Sequence, residues 1–568
     1  MNISKWISIV SLSFLVAQLP AQKTAPENWF NLDKEEAAVY GVSTEKVYNS
    51  LLKGKKGELV IVAVIDSGVD AEHEDLKEVM WINPGEIAGN GIDDDNNGYV
   101  DDVHGWNFIG GKDGNNIDKD NLEMARVYAK LSPKYAQKQA GDIAKKDKAE
   151  YAYFLKAQKE IEEKKEEASK NVAQYESAKM IVLQSIDAVK EALGDKDLNT
   201  QNIQGIDPGS DRKVAIGQSI VMDMLAQGQT TLDFEGIKEL MGGQYQEAID
   251  YYSSMLEYGI NPDFNPRSIV GDNYADATEK YYGNNDVEGP DARHGTHVAG
   301  IIGASRSNEI GIKGVADNVR IMSIRAVPDG DERDKDVANA IRYAVDNGAS
   351  IINMSFGKGY TWNKKIVDDA VRYAVKKDVL LVHAAGNDGK NIDQASNFPN
   401  DRYEKKKLFG KKKASNWIEV GALDWRGGEN AAASFSNYAK ENVDLFAPGV
   451  AIYATVPDNN YENLQGTSMA APVVAGVAAV LRSYFPKLSA KQVRQILLDT
   501  TVPINQNVIK PGTEEKVPFR SLSVTGGVVN AYKAVQKANT VKGKKKKRSK
   551  NAKPGSGGKS GSKKKPVA

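Results

Sequence analysis

Short apolar runs alternate with helical patterns along much of the chain. The first run, residues 59–65, is apolar and mostly β-branched, as expected for a strand that is buried on both faces of a parallel sheet. Similar runs follow at 319–324, 350–354, 379–385, 418–422 and 443–447, and helical patterns lie at 336–347, 364–376 and 468–484. This alternation predicts βαβ units and an α/β fold class with one doubly wound, mostly parallel sheet.

The stretch from 118 to 285 has a different pattern. It contains no proline between Pro133 and Pro208, and apolar residues recur at three-to-four spacing from Ile161 to Leu193, just before Gly194. The spacing predicts a long amphipathic helix whose apolar stripe needs a partner. We therefore expect a large α-helical insertion at 118–285, packed on itself or against the α/β body. It could serve as a substrate gate, a partner platform or a built-in inhibitor, or it could only stabilise a loop.

The amino-terminal residues have the layout of a secretory signal peptide. An apolar stretch at 6–17 follows Lys5 and precedes Pro20 and Ala21. A membrane anchor would need about 20 apolar residues, which is more than this stretch provides. We predict a signal peptide at 1–21 and hence an exported protein, either secreted or periplasmic. No later segment is apolar over a length that spans a bilayer, so no transmembrane segment is expected after cleavage.

Composition narrows the chemistry and marks the carboxyl-terminal tail. The 568 residues are 41% hydrophobic, which is enough for packed cores, and 75 basic side chains nearly balance 76 acidic ones. Residues 542–565, however, carry 12 basic and no acidic side chains, so we predict a basic disordered tail at 541–568. The tail could contact anionic surfaces or remain solvated, and no specific nucleic acid is expected as a partner. The absence of cysteine excludes disulfides, thiolate metal sites and thiol nucleophiles.

Three short segments carry groups suited to nucleophilic catalysis. Asp66 ends the first predicted strand, where open α/β sheets place their sites. His294 opens a helix of small residues, and an imidazole there can move protons near neutral pH. Ser468 begins another helix, where its hydroxyl is exposed and its backbone amide can donate. Each of these signals is weak alone.

Together, and in the order Asp, His, Ser, these segments resemble the subtilisin-like serine proteases. The motifs that carry the resemblance are VIDSGVD, HGTHVAGI, INMSFG, AAGND, VDLFAPG and GTSMAAPVVAG, within residues 40–110 and 286–535. The resemblance implies a subtilisin-like catalytic domain in two parts, 22–117 and 286–540, on either side of the insertion.

The resemblance also implies catalytic roles. Ser468 would be the nucleophile, His294 the general base and then the general acid, and Asp66 the group that fixes the imidazole tautomer. Asn387 would donate its side-chain amide to the oxyanion, beside the backbone N–H of Ser468. An extended peptide would bind along two segments whose small residues leave room for a bulky apolar side chain. The implied substrate-binding residues are Ser355, Phe356, Gly357, Ala384, Ala385 and Gly386.

Calcium is the ion that the sequence favours, because it takes hard oxygen ligands in irregular loops. The resemblance implies a structural calcium bound by the side chains of Asp75 and Asn308 and by the carbonyls of Ile310 and Ile312. No organic cofactor is implied.

A second candidate calcium loop half matches an EF-hand, but His104 stands at the twelfth position, where an EF-hand has glutamate. A solvated acidic turn is the alternative. His294 and His297 lie three residues apart, so a zinc pair is conceivable, although the resemblance makes His297 a packed structural residue. The oxygen-bearing residues of the candidate loop are Asp93, Asp95, Asn97 and Asp101.

We therefore predict an exported, calcium-stabilised serine endopeptidase that hydrolyses polypeptide substrates through an acyl-enzyme. A processing protease or peptide ligase restricted to one partner is an alternative within the enzyme class. A catalytically silent binding scaffold is the alternative outside it. The presence of Asp66, His294, Ser468 and Asn387 argues against the scaffold, which has no physical need for all four.

Overall fold

The computed structural model describes residues 24–226, 233–404 and 411–543. The predicted signal peptide and most of the predicted basic tail lie outside these residues. Among the described helices, none has the combined length and apolar character needed to cross a membrane. The described chain forms a nine-stranded sheet flanked by helices, which confirms the predicted α/β class with a mostly parallel sheet.

The sheet is parallel except at one edge. The strands are β1 (Val60–Asp66), β2 (Gly105–Asn107), β3 (Val319–Arg325), β4 (Ile351–Met354), β5 (Leu380–Ala384), β6 (Trp417–Leu423), β7 (Leu445–Pro448), β8 (Ile452–Val456), β9 (Asn460–Leu464), β10 (Val502–Pro503), β11 (Asn507–Ile509), β12 (Lys516–Pro518) and β13 (Gly527–Val528). The order in the large sheet is β10-β13-β7-β6-β5-β4-β1-β3-β2, with β10 antiparallel to β13. The pairs β8–β9 and β11–β12 are separate hairpins.

Helices surround the sheet and make up the insertion. They are α1 (Lys34–Ala37), α2 (Thr44–Asn49), α3 (Glu123–Tyr135), α4 (Lys148–Leu193), α5 (Thr200–Gln204), α6 (Arg212–Ala226), α7 (Phe234–Ser254), α8 (Arg293–Gly303), α9 (Asp334–Asp346), α10 (Lys364–Lys377), α11 (Thr467–Tyr484), α12 (Ala490–Asp499) and α13 (Ala531–Ala538). Helices α3 to α7 lie between β2 and α8 in the chain.

Strand β1 lies where the strand order reverses. It pairs with β3 on one side and with β4 on the other, so that Ile65 is level with both Ile324 and Met354. Its side chains alternate between two apolar clusters, because both faces of the sheet are covered. A reversal of this kind leaves a crevice outside the carboxyl ends of the strands, and Asp66 ends β1 there.

Helix α11 crosses the sheet and is buried over most of its length. It packs against β4, β5, β6 and β7 and against α8. Close approach requires small residues, since a Cβ on Gly476 would lie 2.5 Å from the Val315 Cβ and 3.4 Å from the Ile302 carbonyl oxygen. This packing fixes where the first turn of α11, which contains Ser468, meets the edge of the sheet.

The insertion is built around α4, a helix of 46 residues. Its carboxyl-terminal half packs with α6 and α7 around an apolar cluster that includes Ile186 and Val221. Its amino-terminal half packs with α3 and with Tyr360 of the α/β body. The apolar stripe thus contacts the other helices of the insertion along one part of its length and the body along another. The helix ends at Gly194, whose φ of +60° suits glycine better than other residues.

Buried ion pairs attach α3 to the α/β body. Arg126 pairs with Glu123 within α3 and donates to the carbonyl oxygen of Asp331. Lys358, whose side chain is 1% exposed, pairs with Asp334 at 2.9 Å and with Glu123 at 3.4 Å. Buried charges need such partners because their desolvation is costly. Polar as well as apolar contacts therefore attach the insertion to the body.

The substitution Gly217→Ala tests the packing of α6 on α4. A Cβ at this position would lie 2.0 Å from the carbonyl oxygen of Ser185, so α6 must shift. We expect the free energy of unfolding to fall by about 1–3 kcal/mol, as measured by urea denaturation. The matched control is Gly243→Ala on α7, where no atom lies within 4 Å and a higher helix propensity should stabilise the protein by up to about 1 kcal/mol. Equal effects of the two substitutions would contradict the described packing.

Candidate active site

The ends of β1 and α8 bring a carboxylate and an imidazole together. Asp66 Oδ1 lies 2.6 Å from His294 Nδ1 and also accepts the backbone N–H of Ser67. Asp66 is only 2% exposed, whereas the His294 side chain is 39% exposed. Gly295 permits the approach, because a Cβ there would lie 2.0 Å from the Gly68 carbonyl oxygen. The carboxylate is therefore fixed inside the protein while the imidazole borders solvent.

Opposing effects set the pKa of His294. Burial lowers this pKa, but the charge of Asp66 and its hydrogen bond raise it, and the net value lies above the ordinary 6.5. Because Asp66 contacts Nδ1, the other ring nitrogen, Nε2, is left to accept a proton. The neutral imidazole is thus oriented as a general base would be.

Ser468 lies in the first turn of α11 and is joined to the residue after β4. Its hydroxyl donates to the carbonyl of Ser355 at 2.9 Å, and the Ser355 hydroxyl donates to the carbonyl of Ser468 at 2.8 Å. Since β4 pairs with β1, Ser355, which follows β4, and Asp66, which ends β1, lie at the same edge of the sheet. Ser468 therefore shares this edge with Asp66, and its hydroxyl proton is directed to Ser355 rather than to His294.

Asn387 follows β5 and is positioned by Thr467. Its Oδ1 accepts the backbone N–H and the hydroxyl of Thr467, both at 2.9 Å. The same hydroxyl accepts the Gly386 N–H at 3.0 Å. A Cβ on Gly466 would lie 3.4 Å from Asn387 Nδ2 and 3.5 Å from the backbone nitrogen of Ser468. Asn387 Nδ2 and the backbone nitrogen of Ser468 thus border one small space, which stays open because residue 466 is glycine.

The two predicted substrate-binding segments continue neighbouring strands. Residues 355–357 follow β4, and residues 384–386 lie at the end of β5, which pairs with β4. The side chain of Asn397 contacts both segments, since its Nδ2 donates to the carbonyls of Ala384 and Ala385 and a Cβ on Gly357 would lie 2.6 Å from its Oδ1. The space between them is therefore smaller than their glycine and alanine residues suggest.

His297 also lies in α8, but its ring contacts backbone carbonyls outside the Asp66–His294 pair. Its Nε2 lies 3.0 Å from the carbonyl oxygen of Ile452 and 3.1 Å from that of Glu462. Burial lowers the pKa of His297 to about 3, so the ring is neutral and its Nε2–H donates to these carbonyls. This geometry opposes a zinc pair with His294 and suits a packed structural residue.

The first predicted calcium loop surrounds Asp75, which is 1% exposed. Its two oxygens accept the Asn308 side-chain amide at 2.8 Å and the Ile312 N–H at 3.0 Å. Burial raises the pKa of Asp75 despite these bonds. A buried carboxylate of this kind suits a cation, and an Asn308 amide turned over would present its oxygen. The prediction named the carbonyls of Ile310 and Ile312 as ligands. Ile312, however, contacts Asp75 through its N–H, and Ile310 is 41% exposed.

The second predicted calcium loop contains a cluster of three carboxylates. Oxygens of Glu86, Asp95 and Asp102 lie within 4.8 Å of one another. Asp102 is fully buried, and burial, with a further contribution from the charge of Asp95, raises its pKa to about 6. A hard divalent cation would relieve the repulsion among these groups.

The predicted ligands of this second loop are only partly in the cluster. Asp93 and Asp101 accept backbone N–H groups of the loop, and Asn97 donates its amide to two of the clustered carboxylates. These residues therefore shape the loop. Glu86, which lies outside the EF-hand-like spacing, completes the cluster.

The sequence patterns did not indicate Thr467 or Asn397. Thr467 stands inside the GTSMAAP motif beside Ser468, and this position is the sequence feature that could have identified it as a site residue. Asn397 belongs to no motif, and only the fold shows that it contacts both segments.

The titration of His294 tests its contact with Asp66. We expect the imidazole to titrate above pH 6.5 in the parent protein and below it in Asp66→Asn. The substitution removes the two main effects that raise the pKa, so burial, which is the largest effect, then outweighs the smaller contributions of Asp291 and Arg293. NMR of protein with labelled imidazole nitrogens measures both values. His297 is the internal control and should stay neutral from about pH 5 to 9, since its pKa is about 3. An unchanged His294 titration in Asp66→Asn would contradict the contact.

Residues 57–521 match the sequence profile of the subtilase family. The thermophilic serine proteinase of Bacillus sp. strain AK1 is 40% identical over 235 residues, which cover 40% of this chain and 51% of that protein. Subtilisin DY of Bacillus licheniformis is 36% identical over 256 residues, covering 44% and 84%. Thermitase of Thermoactinomyces vulgaris is 38% identical over 244 residues, covering 43% and 75%. Among solved structures, a protease of Pseudoalteromonas arctica has a TM-score of 0.35 and 26% identity, covering 45% and 78%.

The profile match extends over most of the chain, whereas the matches to individual relatives are shorter. The chain spans about half the length of the serine proteinase from strain AK1. The profile match starts just before β1, which carries Asp66, and runs beyond α11, which carries Ser468. On the extent of this match, the chain belongs to the subtilase family.

Proposed function

We propose that the protein is a serine endopeptidase that hydrolyses polypeptides through an acyl-enzyme. The observation that carries the proposal is the 2.6 Å contact between His294 and Asp66 at the sheet edge that Ser468 shares. A buried carboxylate that orients an imidazole near a serine is an arrangement suited to nucleophilic catalysis. Membership of a family whose relatives include proteins named as serine proteinase and subtilisin supports the proposal.

The reaction would begin when Ser468 Oγ attacks the carbonyl carbon of the peptide bond. For this step the hydroxyl leaves the carbonyl of Ser355 and gives its proton to His294 Nε2. Asp66 stabilises the imidazolium and keeps Nδ1 protonated. The tetrahedral intermediate then breaks its C–N bond, and His294 passes the proton to the leaving amine. Water attacks the acyl-enzyme with His294 again as base, which releases the acid and restores Ser468.

The oxyanion of the tetrahedral intermediate would accept hydrogen bonds from Asn387 Nδ2 and from the backbone N–H of Ser468. The contacts of Asn387 with Thr467 hold the amide before substrate arrives, so the donors need little reorganisation. The amino terminus of α11 adds a favourable field for negative charge. The substrate backbone would extend along 355–357 as an added strand.

We also propose that the protein is exported and binds calcium. The pattern at 1–21 supports export, either secreted or periplasmic, and the basic tail supports contact with anionic surfaces. Asp75 with Asn308 forms one candidate cation site. The other is the carboxylate cluster in the second loop, namely Glu86, Asp95 and Asp102. Calcium there would neutralise buried carboxylates and stabilise the two loops, without a part in the reaction.

The domain organisation is part of the same proposal. Residues 22–117 and 286–540 would form one catalytic domain, and 118–285 would be an insertion within it. The packing of α3 on the body through Arg126 and Lys358 supports an insertion that stays attached to the catalytic domain.

Labelling with a fluorophosphonate tests the nucleophile. The parent protein should be labelled and Ser468→Ala should not, because the probe reacts with an activated serine. The matched control, Ser521→Ala, alters an exposed serine and should keep the label. Equal labelling of the parent and Ser468→Ala would contradict the proposed nucleophile, and an unlabelled parent would favour a silent scaffold. A peptide-library digest then separates a broad hydrolase from a processing enzyme restricted to one partner.

The substitution Asn387→Ala tests the oxyanion donor. We expect kcat to fall about 10²- to 10³-fold, the loss known for one such side-chain donor in a subtilisin. KM should change little, because the hydrogen bond strengthens only as charge develops on the oxygen. Steady-state kinetics on one peptide substrate measure both parameters, with Asn539→Ala at the end of α13 as the control. An unchanged kcat would contradict the assignment.

Calcium removal tests the two cation sites. Chelation should lower Tm, because the buried carboxylates of Asp75 and Asp102 then lose a neutralising cation. Scanning calorimetry before and after added calcium measures the effect. Asp95→Asn should reduce the part of the Tm shift that depends on calcium, whereas Asp195→Asn, at an exposed site, should not. A Tm that chelation leaves unmoved would count against both sites.

A further inference from the structure

We propose that Glu123, at the start of α3, is a positioning residue for the proposed substrate-binding segment 355–357. The insertion would then take part in substrate binding, although Asp66, His294 and Ser468 all lie outside it. This inference rests on the proposed peptidase function and deepens it.

The far end of segment 355–357 is fixed by Lys358. The near end lies at the nucleophile, because the Ser355 carbonyl accepts the Ser468 hydroxyl. At the far end, the N–H and the carbonyl of Lys358 both bond to the backbone of Phe398, each at 2.9 Å. These two groups are therefore not free to pair with a substrate. The contacts of Lys358 instead determine where the segment ends.

A carboxylate from the insertion helps to hold the side chain of Lys358, which is 1% exposed. Its Nζ lies 3.4 Å from Glu123 Oε1 and 2.9 Å from Asp334 Oδ1, and it donates to the Glu332 carbonyl at 2.5 Å. Burial lowers the pKa of Lys358, but the charges of Asp334 and Glu123 raise it by more. The ammonium is therefore charged, and a buried cation needs carboxylate partners. Glu123 is one of the two in contact with it.

The carboxylate of Glu123 also joins two loops of the α/β body. Its Oε1 accepts the Trp362 N–H at 2.6 Å, in the loop that follows β4. Its Oε2 accepts Arg126 Nε at 2.5 Å. Arg126 in turn donates to the carbonyls of Asp331 and Glu332, in the loop that follows β3. Glu123 is fully buried, so these contacts are shielded from water.

A second contact from the insertion reaches the loop after β4. The Thr361 N–H donates to the Tyr153 hydroxyl at 2.9 Å, and the ring of Tyr153 lies 5.1 Å from that of Tyr360. Since Tyr153 belongs to α4, two helices of the insertion contact residues 358–362. Loss of either contact should loosen the far end of segment 355–357, whereas the bond between Ser355 and Ser468 at the near end does not depend on them.

The two ends of segment 355–357 would serve different parts of a substrate. A substrate with one residue before the cleaved bond would contact the segment only near Ser355. A substrate with three further residues would extend to Gly357 and depend on its position. Binding energy from such remote residues is used to orient the reacting bond. A displaced far end should therefore slow cleavage of the long substrate more than cleavage of the short one.

Two thiobenzyl esters that share the residue before the cleaved bond test the inference on the full-length protein. The short ester carries an acetyl group on that residue, and the long ester carries three further residues. Glu123→Gln should lower kcat/KM for the long ester about 10-fold more than for the short one, and it should retain fluorophosphonate labelling. Glu123→Asp, which keeps the charge, should recover part of this difference.

The outcomes separate the inference from the proposed function. Equal losses on the two esters in a labelled Glu123→Gln protein would mean a merely structural role and would overturn the inference. A parent protein that cleaves both esters equally well would overturn it too, and would leave the peptidase function standing. A parent protein that cleaves neither ester and resists the fluorophosphonate would overturn both.

The matched control for Glu123→Gln is Glu150→Gln, which removes another carboxylate of the insertion. Glu150 accepts from Lys134 at 2.5 Å and from the Tyr135 hydroxyl at 2.6 Å, and both partners belong to α3. This variant should keep the parent ratio of kcat/KM for the two esters. A change of ratio as large as that in Glu123→Gln would overturn the inference, because any disturbance of the insertion would then suffice.

Tyr153→Phe keeps the inference testable should Glu123→Gln fail to fold. It removes only the hydroxyl that accepts the Thr361 N–H, and should lower kcat/KM for the long ester about 2- to 5-fold more than for the short one. Its matched control is Tyr151→Phe, because the Tyr151 hydroxyl donates to the Lys138 carbonyl within the insertion. In that case, an unchanged ratio in Tyr153→Phe would overturn the inference.

Discussion

Asp66 is 2% exposed, so its carboxylate needs hydrogen-bond donors inside the protein. The positions of these donors determine the geometry of the site. An ionised carboxylate without partners is costly inside a protein, and Asp66 finds them in His294 Nδ1 and the Ser67 N–H. Its Oδ2 has no hydrogen-bond partner in the described part of the chain, so the imidazole is its main side-chain contact. This bond joins the first turn of α8 to the end of β1 across 228 positions of sequence. Protonation of the imidazole during the reaction would strengthen this hydrogen bond between His294 and Asp66.

The insertion separates Asp66 from His294 in sequence without disturbing their contact. Asn107 and Asn284 exchange backbone hydrogen bonds of 2.9 and 3.1 Å, so the chain leaves the body and returns to it at neighbouring points. The length of the insertion then adds little to the entropic cost of bringing these two points together, because closure entropy rises slowly with loop length. Helices α6 and α7 share an apolar cluster with α4, while α3 is bound to the body through Arg126. The start of α8 is therefore set by the sheet and not by the insertion.

Parts of this structure could be predicted from sequence because their signals are local. The apolar run at 59–65 became β1, and the helix expected from Ser468 begins one residue earlier. The periodic pattern from Ile161 showed only part of α4, which begins at Lys148 and buries Phe154 and Ala157 before the pattern starts. Asn397 could not be predicted, since its partners follow from how β5 and the loop after it fold together. Motif spacing likewise missed Glu86, whose partners come from further along the loop.

Whether Ser468 and His294 act as one unit can be measured most directly by comparing kcat/KM for Ser468→Ala, His294→Ala and the double variant. We predict that all three lose about the same activity, because removing either group already abolishes the activated hydroxyl. Losses that multiply in the double variant would mean that the two groups act independently, and would contradict a shared catalytic role.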